Sequence, residues 1–93
     1  MSERLIYKYE IGDPCPHVVE IELPHGKVLS VGAQSGKLVM WAEVDTLAKS
    51  PTRRFGVAWT GRPFPWGEKE GEAPVFIGTV TVEGLVCHIY ELP

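Results

Sequence analysis

Cations, aromatic rings and rigid backbone coincide in only one stretch of this chain, Arg53 to Trp66, RRFGVAWTGRPFPW. Guanidinium groups beside aromatic planes suit two kinds of partner: a nucleotide-like ligand, held by charge-assisted hydrogen bonds and stacking, or a protein surface, where Trp, Tyr and Arg dominate binding energy. Proline fixes its own φ and biases the residue before it toward extended backbone, so Arg62-Pro63-Phe64-Pro65 reads as a stiff arm carrying Arg62, Phe64 and Trp66. Truncating Arg62 or Trp66 on such an arm is expected to impair binding and leave the fold almost intact.

Other chemistry is less well furnished. Asp13, Cys15 and His17 alternate and could point one way if extended, but Pro14 and Pro16 interleave and no second ligand group follows, so no metal site is expected. His25 sits in a turn, and His88 shares a strand face with Val86 and Tyr90 as a half-buried ring. A nucleophile elbow and a phosphate-binding glycine loop are both missing, and no motif asks for a cofactor. A hydrolase remains as an alternative, with His88 or His25 as general base and Arg54 or Arg62 holding an anionic substrate.

The elements that must position these residues are strands. Period-two alternation recurs and helical period is nearly absent, which predicts an all-β fold of about seven mainly antiparallel strands, a compact sandwich or a partly open barrel. The strands fall at Arg4–Ile11, Val18–Leu23, Lys27–Ala33, Lys37–Val44, Arg53–Thr60, Val75–Val82 and Leu85–Leu92. Gln34-Ser35-Gly36 and Glu83-Gly84 mark hairpins, and Lys37–Val44, apolar on both faces up to Glu43, belongs at a sheet centre. Trp41 and Trp59 read as lying on adjacent strands. Residues 61 to 74 form a Pro/Gly-rich loop that includes the mixed-charge run Glu68-Lys69-Glu70.

The bulk numbers set limits. A chain of 93 residues makes one domain, spanning 1–93, and buries only roughly 60 to 65% of its unfolded surface. A net charge of −3 argues against affinity built on neutralising many phosphates, so nucleic acid is not the expected partner. No apolar run is long enough to span a bilayer, and Cys15 and Cys87 read as free thiols, Cys87 in a strand core, which together point to the cytoplasm.

The segments IYKYE (Ile6 to Glu10), LPHGKVLSVGAQSGKLVMWAEVD (Leu23 to Asp45), RRF (Arg53 to Phe55), TGRPFP (Thr60 to Pro65), FIGT (Phe76 to Thr79) and VCHIYEL (Val86 to Leu92) together resemble a family of small uncharacterised bacteriophage and prophage proteins. The family's pattern falls on Gln34, Gly36, Trp41, Asp45, Arg54, Thr60, Gly61, Pro63, Pro65 and His88. This chain departs from it in a longer GDPCPHVV stretch and a bulkier Phe64. The resemblance implies a phage accessory protein in the host cytoplasm, of the size used to block a host enzyme or defence system. The expected function is therefore a non-catalytic one, binding and inhibiting a host protein through Arg54, Arg62, Phe64, Trp66, Trp41, Gln34, Thr60 and His88. As an alternative, the chain sequesters a small nucleotide-like signal, completed at a homo-oligomer interface such as a homodimer.

Overall fold

The computed structural model describes residues 2–67 and 73–93; the Glu68-Lys69-Glu70 run lies outside the described residues. Its elements are β1 (Arg4–Gly12), β2 (His17–Glu22), β3 (Gly26–Gln34), β4 (Lys37–Asp45), β5 (Thr52–Trp59), β6 (Val75–Val82) and β7 (Leu85–Leu92). They form a sheet of order β1-β4-β3 and a second of order β2-β5-β7-β6, with every pairing antiparallel. The expected all-β fold is what forms, as a sandwich whose sheets meet along β3 and β6. The strand ends shift by a residue or so, most consequentially at Thr60. That residue leaves the ladder for a turn closed by Arg62 N–H donating to the Trp59 carbonyl at 3.2 Å.

Local chemistry explains the two tight hairpins. Gln34 pairs with Lys37 across Ser35 and Gly36, and Val82 pairs with Leu85 across Glu83 and Gly84. All four loop residues have positive φ, the type I′ pattern whose twist matches that of the strands. The core lies where alternate residues face inward: Leu38, Met40, Ala42 and Val44 from β4 against Phe55 and Val57 from β5 and Cys87 and Ile89 from β7. As its two-sided apolar pattern predicts, β4 sits at the centre of its sheet.

Arg53 ties the sheets together. Half-buried on the inner face of β5, it donates from Nε and Nη2 to the two Glu91 carboxylate oxygens at 2.7 and 2.6 Å, and from Nη1 to the Gly26 carbonyl of β3 at 3.0 Å. This bidentate contact with Glu91 holds the guanidinium pKa above its ordinary value. The arginine therefore acts on stability rather than on a ligand. At the other end of β5, the Trp59 indole donates to the Pro14 carbonyl at 3.0 Å, so the β1–β2 loop closes that end of the core over buried Cys87. Burial pushes the Cys87 thiol pKa up, which keeps it protonated and unreactive.

Candidate functional site

Strand register lays out the outer face of the β2-β5-β7-β6 sheet in rows. Val18 is opposite Gly56, Gly56 opposite Tyr90, and Tyr90 opposite Phe76, so one row crosses all four strands. On one side of it stand Glu20, Arg54 and Leu92, and on the other Ala58, His88 and Thr79. Glycine in the middle of a strand leaves bare backbone that another group can approach. Here that group is Trp66: a Cβ built on Gly56 would meet its ring at 2.4 Å.

The loop after β5 therefore folds back over the sheet. The expected extended arm at Arg62-Pro63-Phe64-Pro65 is instead a segment between two turns. A second turn, Phe64 to Gly67, is closed by the Gly67 N–H donating to the Phe64 carbonyl at 3.2 Å, with Pro65 at its second position. It places Phe64 and Trp66 face to face, with ring centroids 4.7 Å apart and planes 12° from parallel. Tyr90 meets both rings at 5.5 and 5.4 Å, and Phe76 meets Tyr90 at 5.3 Å. These offset and edge contacts are the geometries aromatic quadrupoles favour. Trp66 is half-buried in the cluster, and its indole N–H is buried without a hydrogen-bond partner among the described residues. By contrast Phe64 and Phe76 remain 38% and 54% exposed, so the cluster offers two fixed aromatic surfaces to solvent.

Beside the cluster, His88 is gripped from both sides. Its Nε2 lies 2.6 Å from the Thr60 hydroxyl and its Nδ1 2.9 Å from the Thr79 hydroxyl. A neutral imidazole donates from one nitrogen and accepts at the other, and either hydroxyl can supply the complementary role. A hydroxyl at this distance from an imidazole has the geometry of a nucleophile and its base. No carboxylate is hydrogen-bonded to His88 among the described residues, however, and the aromatic row separates it from Arg54. Arg54 and Ala58, the strand neighbour of His88, are four residues apart, about 13 Å along a strand. His25 lies in the β2–β3 turn, where its backbone N–H donates to the Lys49 carbonyl at 3.2 Å.

The remaining candidates divide between two surfaces. Arg62 lines a shallow open pocket of about 340 Å³ with Pro63, Phe64 and Gly67, so Arg54, Thr60, Arg62, Phe64, Trp66 and His88 all belong to one side of the sandwich. Trp41 and Gln34 lie on the outer face of the other sheet, where Trp41 covers Gly32 and Gln34 accepts a hydrogen bond from Lys8 Nζ at 2.7 Å. Trp41 and Trp59 are likewise in different sheets rather than on adjacent strands. Among the described residues no three His, Cys, Asp or Glu side chains gather as a metal site. His17 instead turns its Nδ1 to the Cys15 carbonyl at 2.6 Å, and Asp13 pairs with Lys37.

Sequence reasoning missed Gly56, Phe76, Thr79 and Tyr90. The signal was present: an isolated glycine in a strand, with Tyr90 and Phe76 on strands that a hairpin must pair, marks a place where a ring can lie on the sheet.

Residues 2–93 match the family described as "Domain of unknown function (DUF7352)". No curated protein and no solved structure matches the chain. Among the described residues no helix is long and apolar enough to cross a membrane.

Proposed function

The chain belongs to the DUF7352 family, and we propose that it is a non-catalytic binding module that holds a partner protein on the outer face of the β2-β5-β7-β6 sheet. The observation that carries this reading is the aromatic row itself. Trp66 is seated on Gly56 and locks Phe64 in place, leaving Phe64 and Phe76 as rigid, exposed anchors flanked by Arg54 and Arg62. Preorganised aromatics lose little conformational entropy on binding, and arginine at their margin adds hydrogen bonding and charge selectivity. The resemblance to small phage and prophage proteins supports the narrower reading of an inhibitor acting on a host protein in the host cytoplasm.

Immobilised chain should retain a bacterial protein that is lost when Phe64→Ala and Phe76→Ala are combined, with the melting temperature of the variant close to that of the parent. Retention undiminished by the paired truncation would overturn this reading.

A second reading is favoured by the pocket at Arg62, Pro63, Phe64 and Gly67, where a guanidinium adjoins an exposed ring. A small nucleotide-like ligand could stack on Phe64 and place its phosphate on Arg62. A nucleotide panel should then raise the melting temperature of the parent and leave Arg62→Ala unmoved; no shift with any nucleotide would remove this reading.

A further inference from the structure

The two open edges of the sandwich differ in how they are protected. Edges β3 and β6 lie against each other, whereas β1 and β2 each pair with a single neighbour. β2 has six residues and carries Glu20 and Glu22 on its solvent face, the short and charged form that discourages further pairing. β1 has nine residues and is apolar on both faces over its first half: Leu5 is 42%, Ile6 63% and Tyr7 43% exposed. Among the described residues its N-terminal end is tied on the β4 side, through Glu3 N–H to the Asp45 carboxylate and Thr46 N–H to the Glu3 carbonyl. At its C-terminal end His17 reaches it, with Nε2 3.4 Å from the Ile11 carbonyl and beside Gly12.

From this edge we infer that the protein forms a two-fold homodimer in which β1 pairs antiparallel with β1 of a second copy, in a register centred on Tyr7. Directly opposed residues in an antiparallel ladder share a face, so a two-fold normal to the sheet pairs even positions with even and odd with odd. Centres from Ile6 to Tyr9 use most of the strand. Centring on Tyr9 sets Lys8 against Glu10 but leaves Leu5 without a partner and runs through Ile11, whose carbonyl His17 approaches. Centring on Ile6 sets Arg4 against Lys8, and centring on Lys8 sets that lysine against its own copy; both oppose like charges. Centring on Tyr7 sets Arg4 against Glu10, Ile6 against the Lys8 stem, Leu5 against Tyr9 and Tyr7 against Tyr7. Only this register pairs opposite charges and covers all three exposed apolar residues. The result is a six-stranded sheet, β3-β4-β1 continued by its mirror order in the partner, on a surface separate from the aromatic row.

Sedimentation equilibrium over a concentration series tests the dimer, and charge reversal tests its register. Each Arg4 and Glu10 contact occurs twice in the dimer, so Arg4→Glu or Glu10→Arg alone should weaken association by about tenfold or more, and the two together should restore it. Far-ultraviolet circular dichroism and melting curves confirm that each variant is folded. On a Cys15→Ser background, Tyr7→Cys should form an interchain disulfide under mild oxidation, while Ile6→Cys, which faces Lys8, should not. A monomer at millimolar concentration would overturn the inference. So would a dimer indifferent to both charge reversals, or one in which Ile6→Cys cross-links as readily as Tyr7→Cys.

Discussion

Both sheets carry an outward glycine with an indole lying where a Cβ would stand, but the two indoles arrive by different routes. Trp41 reaches Gly32 from the adjacent strand of its own sheet, with ring atoms 3.0 and 3.2 Å from the built Cβ. Trp66 reaches Gly56 from a loop, at 2.4 Å, and brings Phe64 with it. On the first face the tryptophan sits among Lys8, Gln34 and Ser30 and covers bare backbone. On the second, the loop covers Gly56 and joins its own Phe64 and Trp66 to Tyr90 and Phe76 of the sheet in a platform of four aromatic rings. A strand neighbour can only shield a sheet, whereas a loop that folds back can also raise a shaped surface above it.

The comparison is broken most severely by removing the loop's anchor. Trp66→Ala should cost about 2–4 kcal/mol, below the range for a fully buried tryptophan at its upper end because Trp66 is only half-buried, and urea denaturation measures it. The same truncation at Trp41 should cost clearly less. Next comes Gly56→Ala, whose Cβ cannot share space with the Trp66 ring, at about 2–3 kcal/mol with a red shift of tryptophan emission. Combined with Trp66→Ala it should add almost nothing, since both act by undocking the same loop. Gly32→Ala supplies the contrast. Its Cβ meets only the far edge of the Trp41 ring, so a loss of about 1 kcal/mol or less is expected by the same denaturation measurement.

The smallest effect concerns acid stability on the β1-β4-β3 side. The Asp45 carboxylate accepts from the backbone N–H of Glu3 at 3.0 Å and of Leu47 at 3.1 Å, which holds its pKa below the ordinary 3.8. A depressed carboxyl contributes fully above its ordinary pKa and loses that contribution as pH falls through the lowered value. Asp45→Asn should therefore flatten the acid limb of the stability curve below about pH 4, measured as melting temperature against pH.

Much of the scaffold was legible in the sequence because strand alternation and hairpin glycines are local signals. The pattern of Leu38 to Val44 predicted a central strand, and Gln34-Ser35-Gly36 predicted its hairpin, both as observed. Residue identity also drew attention to the loop of Arg62, Phe64 and Trp66. What could not be read was its direction, which depends on a strand register joining Gly56 to Tyr90 and Phe76 across three strands. Proline stiffness alone predicts an extended arm, and residue type alone makes Trp66 a contact residue rather than the support beneath one. Arg53 and Arg54 are neighbours in the chain, yet alternation alone places the two on opposite faces of β5.

Amide chemical-shift mapping of the isotopically labelled chain, titrated with the protein it retains, tests the central claim most directly. Perturbations are expected to concentrate on residues 54–67, 76–81 and 86–92, around the aromatic row, and to leave residues 30–41 of the opposite sheet unmoved. Perturbations centred instead on Gly32, Gln34 and Trp41, with the aromatic row silent, would contradict the account.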